Sequence, residues 1–431
     1  MDIVYKIKEL VKKLMPRFLL GWYHFLLAFF GALIYGFPSR KLKVIGVTGT
    51  NGKTTTISLA AKILETAGYK VALASSISFK IGGKERENRF KMTMPGRCFL
   101  QKFLREAVRA SCQYVLLEVT SEGVLQHRHR FINFQAAVFT NLSAEHIERH
   151  GSFENYRAAK GRFFKAAKKA HIINLDDENA GYFLDFPAET IYGFSLNERL
   201  QSEIKNLIKA EKVSDLENGL SFIVDNLPFN IPLIGRFNVY NSLAAIGVGL
   251  SQGVSLEICQ KALAKAEGVP GRMEEVVSNP FRVVVDYAFT PNALEQVYQT
   301  LSHKLINPST HQLICVLGAC GGGRDKWKRP ILGALAAKHC DEIIVTNEDP
   351  YDEPPMDIIN QVAEGAGEKA IKILDRREAI RKALTLAKPG DTAVITGKGS
   401  EPWLCVENGK KIPWDDRKIA REEFDNSKND K

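Results

Sequence analysis

The sequence predicts an α/β protein. It has a central domain built on a parallel sheet and a phosphate-binding loop, a second α/β domain after it, and a short apolar helical segment before both. Three observations predict this. Short apolar runs alternate with amphipathic stretches, the pattern of parallel strands joined by crossover helices. The run "VIGVTGTNGKTTT" (44–56) carries a strand into a Gly-Lys-Thr loop and then a helix. The alternation restarts after "GVPGRMEEV", which places a domain boundary near Gly268–Gly271.

The elements follow in order. "IVYKIKELVKKL" is basic and periodic, suited to lying on anionic lipid. Residues 18–37, "FLLGWYHFLLAFFGALIYGF", contain only His24 as an ionisable residue and reach the ~20 apolar residues of a membrane span. Lys12, Lys13 and Arg17 precede them, Arg40, Lys41 and Lys43 follow, and Trp22, Tyr23 and Tyr35 suit a membrane interface. Residues 1–41 are therefore expected to anchor the chain at a membrane. The rival reading is a helical hairpin packed on the protein itself or in a dimer. A cleaved signal peptide is disfavoured, since no small-residue site follows. Residues 42–268 hold the strands "KVIGVTG", "VALASS", "YVLLEVT" and "AAVFTN", a strand pair in "LSFIVDNLPFNIPLIG", and a helix in "RFNVYNSLAAIGVGLSQG" that stops at Gly. Residues 269–431 hold "RVVVDYA", "LICVLGA", "EIIVTNED" and "TAVITGKG", and the tail "REEFDNSKNDK" is expected to fray.

A chain of 431 residues fits two or three domains. The net charge of +10 suits polyanionic ligands or an acidic membrane surface. It does not by itself indicate nucleic acid, and no nucleic-acid-binding motif occurs. Seven cysteines, an odd count with no C-x-x-C pair, disfavour zinc ribbons and disulfide frameworks. A reducing, cytoplasmic location follows, with or without attachment to the inner face of the plasma membrane. Oligomeric state is left open.

The chemistry starts at Gly49-Thr50-Asn51-Gly52-Lys53-Thr54, followed by Thr55. Backbone N–H groups at a helix start make an anion site, Lys53 adds a mobile positive charge, and Thr54 offers a hydroxyl to Mg²⁺. The spacing is not the usual G-x-x-x-x-G-K-[ST], because Val47 stands five before Gly52. "LLEVTSEGVLQHR" ends a strand at Glu118, "FTNLSAEHIERHG" places Asn141, Glu145 and His146 past another, and "NYRAAKGRFF" puts Lys160 on a helix. Ligands of open parallel sheets sit beyond the carboxyl ends of strands. Glu118 and His146 are thus expected to converge on the loop as a second cation site. Singly, Glu118 reads as an ion-pair partner, His146 as a helix-start residue and Lys160 as an ordinary helix lysine.

These blocks, with "GRFNVYNSLAA", "PGRMEEV", "VDYAFTPNAL", "GGGRDKWKRP", "TNEDPYDEPP", "GKGSE" and "IPWDDRKIARE", occur in the order seen in the Mur ligases. From about residue 42 to the C-terminus the chain resembles that family, and most of all its UDP-N-acetylmuramoyl-tripeptide synthetases, which add the third amino acid of the peptidoglycan stem. The resemblance implies a P-loop central domain and a C-terminal Rossmann-like domain that binds the amino acid. It implies transfer of the ATP γ-phosphate to a peptide carboxylate, then attack of an amine on the acyl phosphate. It places Mg²⁺ at Thr54 and a second metal at Glu118, His146 and Lys160. Lys160 is expected to be carbamylated by CO₂, because an ammonium cannot ligate a metal. Asn238 and Asn241 resemble adenine-side contacts, and Arg272 and Asp286 resemble nucleotide contacts of the C-terminal domain, so ATP is expected to favour domain closure. Thr93, Thr120, Gln126 and Arg128 match contacts to the acceptor. Arg329, Glu348, Asp349, Tyr351, Gly397 and Glu401 match the amino-acid pocket.

Two departures stand out. The loop begins too early for the usual uridine-binding domain to precede it, and Met94 and Glu122 replace Thr and His. The acceptor is therefore expected to be a UDP-linked precursor held differently, or a lipid-linked one. "NEDPY" stands where diaminopimelate-specific synthetases carry Asp-Asn-Pro-Arg, so Tyr351 offers no fork for a distal carboxylate. Glu348 and Asp349 would suit an ammonium, which favours lysine or another diamine over diaminopimelate. Rival readings are a ligase of the same fold acting on a folylpolyglutamate- or cyanophycin-type acceptor, and a tethered nucleotide-binding scaffold without catalysis.

Overall fold

The computed structural model describes residues 17–429 apart from 91, 97, 198, 201–202 and 304–309. The basic run before Arg17 lies outside the described residues. The chain divides into two compact units. One holds the described residues up to 144 together with 152–267; the other holds 145–151 and everything described from 268 onward.

The first unit is built on a nine-stranded sheet in the order β4-β3-β2-β5-β1-β6-β7-β8-β9. β1 is Lys43–Thr48, β2 Val71–Ala74, β3 Ser78–Ile81, β4 Lys84–Glu87, β5 Tyr114–Glu118, β6 Phe134–Phe139, β7 Ala170–Asn174, β8 Thr190–Ser195 and β9 Asn206–Lys209. The seven strands from β2 to β9 in this order are parallel; β3 and β4 add an antiparallel edge. Successive side chains on a strand face opposite ways, and here both faces are apolar. Ile45 and Val47 pack under the helices Lys53–Thr66 and Phe237–Ser251, while Val44, Val115 and Leu117 pack with Phe103, Phe163 and Phe164 on the other side. The central strand β1 lies between β5 and β6, with Val47 opposite Glu118 and Thr48 opposite Phe139. That register brings the carboxyl ends of three strands to one edge. An antiparallel meander, β10 Glu211–Leu216, β11 Gly219–Val224 and β12 Leu227–Ile231, completes the unit.

The second unit has a six-stranded sheet in the order β13-β14-β18-β15-β16-β17. β13 is Glu274–Val277, β14 Arg282–Val285, β15 Leu313–Leu317, β16 Glu342–Thr346, β17 Ala370–Ile373 and β18 Thr392–Ile395. All pair in parallel except the edge strand β13. A short hairpin, β19 Trp403–Cys405 and β20 Lys411–Pro413, follows.

Two expectations change. The apolar N-terminal segment forms an 18-residue helix, Arg17–Ile34, and no helix among the described residues is long and apolar enough to cross a membrane. At 1.5 Å per residue it spans about 27 Å, short of a ~30 Å hydrocarbon core. One of its faces is also already used. Phe25 and Phe29 meet Phe131 at 5.4 and 5.5 Å between ring centroids, Ala32 is fully buried, and Gly31 lies against Cys98. Of the rival reading, a helical hairpin, the described residues form one helix, and that helix packs on its own unit. The C-terminal tail, expected to fray, forms the helix Asp416–Asn429. Phe424 is buried edge-on against Phe281, and Glu423 pairs with Arg377 and Arg381.

Candidate active site

In the first unit the phosphate loop leaves β1 and enters the helix Lys53–Thr66 through two glycines that nothing larger could replace. Gly49 has φ +156°, and a Cβ there would meet Thr140 Oγ1 at 1.9 Å; Gly52 has φ +81°, and a Cβ would meet Asn241 Oδ1 at 2.3 Å. The segment after β6 braces the loop. Asn51 N–H donates to Asn141 Oδ1 (2.9 Å), and Thr140 Oγ1 and Asn141 Nδ2 donate to Asn51 O (2.7 and 3.1 Å). Ser143 N–H donates to Thr50 Oγ1, which also meets the Tyr156 hydroxyl at 3.2 Å. Lys53 Nζ folds back onto Gly49 O and Thr50 O at 3.1 and 2.8 Å.

Two groups expected at the metal sites reach this loop. Glu118, buried at the end of β5, accepts from Ser76 N–H (3.1 Å) and Ser76 Oγ (3.4 Å). Ser76 Oγ lies 3.0 Å from Thr54 Oγ1, so Ser76 joins two of the expected ligands. Lys160 comes from the helix Phe153–Phe164, whose start Ser152 caps by accepting from Asn155 N–H. Its Nζ donates to Gly49 O at 2.9 Å and sits 4.6 Å from the Tyr156 ring centroid. The side chain is fully enclosed, and burial first, then the Lys53 charge, hold its amine well below the ordinary lysine range. His146 falls in the second unit, where with φ +59° it begins the short helix Ile147–His150. That helix start donates through Ile147 N–H and Glu148 N–H to Asp325. Glu145 beside it takes Lys328 Nζ at 2.7 Å in a buried pair.

Asn241 stands against Gly52, accepts from Thr56 Oγ1 at 3.4 Å and donates to Asn238 Oδ1 at 2.9 Å. The structure thus brings both asparagines to the loop's flank. The expected acceptor contacts gather elsewhere in the same unit. Thr120 Oγ1 caps the helix Ser121–Leu125 by accepting from Gly123 N–H, Gln126 Nε2 donates to Glu122, and Arg128 donates to Met94 O and Gln126 Oε1. Thr93 is half-buried in the adjoining 92–96 stretch.

In the second unit the guanidinium of Arg272 lies 4.1 Å from the Tyr287 ring centroid. Asp286 accepts from Met273 N–H and Ala288 N–H, and burial raises its carboxyl despite the nearby Arg272. The expected amino-acid residues assemble around side chains that sequence reasoning missed. Lys398, fully buried, donates to Asp349 Oδ1 (2.9 Å), Glu401 Oε2 (2.7 Å) and Trp403 O (2.6 Å). Two of the three acids expected at this pocket are therefore already compensated. Glu348 differs. Its Oε1 takes the Cys320 thiol at 2.8 Å, while Oε2 is buried without a hydrogen-bond partner and faces Gly397 (φ +105°), where a Cβ would meet it at 2.4 Å. Burial is the main cause that raises its carboxyl. Arg329 is wholly buried and engaged with Gln361, Cys320 O and Glu353. Tyr351 adopts φ +52° and lays its ring against Gly322. Arg324 stands close enough to Tyr351, Tyr287 and Cys320 for their fields to outweigh burial and raise its pKa. Arg376, also missed, forks onto Asp416 at 2.9 and 2.7 Å. Its local signal is the run "LDRREAI", in which Asp375 caps the helix Arg376–Leu386.

The profile of the Mur ligase middle domain matches residues 47–249, and that of the Mur ligase, glutamate ligase domain matches 271–399. The UDP-N-acetylmuramoyl-L-alanyl-D-glutamate–2,6-diaminopimelate ligase of Syntrophomonas wolfei is 41% identical over 410 residues, 92% of this chain and 81% of that protein. A UDP-N-acetylmuramyl-tripeptide synthetase of a Roseiflexus species is 36% identical over 422 residues, 92% and 81% of the two chains. A solved structure of a UDP-N-acetylmuramoyl-L-alanyl-D-glutamate–2,6-diaminopimelate ligase superposes with a TM-score of 0.60 at 32% identity, covering 90% of this chain and 79% of that one.

Proposed function

The chain belongs to the Mur ligase family, and on that premise we propose that it joins an amino acid to a UDP-N-acetylmuramoyl-dipeptide-type acceptor in peptidoglycan synthesis. As a member of that family it is an ATP-dependent, peptide-bond-forming ligase. The incoming amino acid is diaminopimelate, lysine or a similar diamine. The γ-phosphate passes to the acceptor's terminal carboxylate. The amine then attacks the acyl phosphate, the C–N bond forms, and phosphate leaves with the electron pair of the C–O bond.

The observation that carries the reading is the set of groups around the phosphate loop. Lys53 turns from the carbonyls of Gly49 and Thr50 to the phosphates and offsets their charge. Thr54, Ser76 and Glu118 present hard oxygen donors within one hydrogen-bonded chain. No cluster of three His, Cys, Asp or Glu occurs among the described residues. Few protein ligands suit Mg²⁺, which keeps several waters and takes phosphate oxygens. When bound, the metal neutralises charge that crowds between two anionic substrates. Lys160 fits the carbamate proposal for a physical reason. Only a neutral amine attacks CO₂, and burial lowers this amine's pKa in the direction of that form. Its N–C bond forms as one proton leaves for water, and the product is an oxygen-bearing anion. Asn238, Asn241, Arg272 and Asp286 are the proposed nucleotide contacts, and Thr93, Thr120, Gln126 and Arg128 the proposed acceptor contacts. None of the seven cysteines forms a disulfide, which agrees with a cytoplasmic location.

An ATP-dependent ligation screen tests this, with UDP-muramoyl-dipeptide and alternative acceptors against a panel of amino acids, read by product mass. The expected product is the muramoyl-tripeptide. Turnover of a folate or a polypeptide acceptor in its place would reject the reading. Labelling with ¹³C-bicarbonate tests the carbamate, whose NMR signal is expected in the parent and absent in Lys160→Ala.

A further inference from the structure

The helix Arg17–Ile34 has a second face that the described residues leave uncovered. Leu19, Trp22, Tyr23, Leu26, Phe30, Leu33 and Ile34 are all exposed, with Trp22 at 62% and Ile34 at 71%. Their spacing follows one side of a helix. Large contiguous apolar surfaces of this kind mark an interaction site. The opposite side is pinned. Phe25 and Phe29 pack on Phe131, the Cys98 thiol meets Leu27 O, and the following turn is held by Ser39, which donates to Phe131 O and accepts from Asn133 N–H. A helix fixed along one side presents the other as a rigid strip.

Charge decides what covers it. Between Glu9 and Glu65 the sequence has no acidic residue, while basic residues stand at both ends of the helix. Arg40 and Lys41 are exposed just past its C-terminal end. Two copies pairing through this strip, parallel or antiparallel, would set basic ends against basic ends with no acid from the segment between them. An anionic lipid surface meets the same pattern with opposite charge. Trp22 and Tyr23 add amphipathic rings of the kind that settle at headgroup depth.

We propose that the exposed face of the helix Arg17–Ile34 docks the enzyme on an anionic membrane surface, with the helix lying in the plane of the interface rather than crossing it. The proposed acceptor-side residues then lie across the helix from the lipid, on its pinned side. His127, between Gln126 and Arg128, stacks edge-on with Phe25 at 5.8 Å.

The test is co-sedimentation of the full chain with vesicles of phosphatidylcholine alone or with about one third phosphatidylglycerol, at low and high salt. Binding is expected at least ten-fold stronger to the anionic vesicles and weakened by salt. Leu26→Glu with Phe30→Glu, and separately Arg40→Glu with Lys41→Glu, are expected to lower binding ten-fold or more. Both sets should leave the circular dichroism melt and ATP binding unchanged, since these side chains face outward. Equal binding by the parent and both variants would overturn the proposal, as would no binding to either vesicle. A parent dimer in solution that Phe30→Glu dissociates, with no vesicle binding, would assign the strip to a second copy instead.

Discussion

Lys160 and Lys398 are both buried lysines, one on the helix Phe153–Phe164 of the first unit and one just past β18 of the second, and their surroundings make them different chemical objects. Lys398 faces two carboxylates and a carbonyl, so its charge is matched and its three donors are used. Lys160 faces a carbonyl, a hydroxyl and an aromatic ring, with no carboxylate among the described residues and Lys53 as its nearest charge. Burial without a counter-charge favours the neutral amine. The first lysine is a structural cation that fixes the acids of a pocket. The second is the amine that, in the proposed reading, CO₂ would convert to a carbamate.

The comparison breaks first at activity. Lys160→Ala is expected to lower ligation by about two to three orders of magnitude, the range found when one preorganised stabiliser is removed. Added bicarbonate should not restore it, because no amine remains, whereas a short carboxylate such as acetate should restore part. Steady-state rates with and without these additives decide it, and parent-like activity would end the carbamate proposal. Stability comes next. Lys398→Met removes the buried cation that Asp349 and Glu401 share, and breaking a buried pair on one side costs about 3–5 kcal/mol. The urea midpoint should fall accordingly, while that of Lys160→Met should hold or rise. If the two variants exchanged these behaviours, the assignment of structural and reactive lysine would be reversed.

A third variant sharpens the role of the pocket that Lys398 organises. Tyr351→Arg would place a guanidinium where diaminopimelate-specific relatives of the resemblance carry one. A charge-assisted hydrogen bond contributes about 1.5–3 kcal/mol, so kcat/KM should move toward diaminopimelate over lysine by about one to two orders of magnitude. A parent that already prefers diaminopimelate strongly would show that another cation, with Arg324 nearest to hand, reads the distal carboxylate. The smallest effect is on pH dependence. The folded state holds Lys160 below its ordinary lysine value while the unfolded chain restores that value. Between the two pKa values the unfolded state binds more protons, so unfolding free energy rises with pH through that window and levels off above the ordinary value, about 10.4. Lys160→Met should remove this rise when both proteins are titrated in CO₂-free buffer.

Much of this was legible in the sequence because it is local. "VIGVTGTNGKTTT" fixes a strand, a loop needing two glycines and a helix within thirteen consecutive residues, and the strands buried on both faces announce themselves as apolar runs. Weaker strands escaped for the converse reason. β4 is "KERE" and β10 is "EKVSDL", exposed edge segments held by pairing rather than by burial. The tail's helix escaped because its acids and bases hide three buried apolar residues, Ile419, Ala420 and Phe424. The order of motifs also led to the family, and it put forward Glu118, Lys160, Glu348 and Asp349 as the proposed site residues.

What sequence alone left undecided is which charges meet. Ser76, 22 residues past Thr54, reaches 42 residues on to Glu118, Lys398 reaches back 49 residues to Asp349, and Arg376 finds Asp416 40 residues on. The sequence also left open whether an apolar helix of eighteen residues would cross a membrane or lean on its own domain. Its composition was compatible with both, and the partner that decides, Phe131 with its neighbours, lies about a hundred residues away in the chain, just before β6. Local periodicity records which residues want to be buried. Only the folded chain supplies the neighbours that set a lysine's charge, a carboxylate's compensation and the face of a helix left for something else to cover.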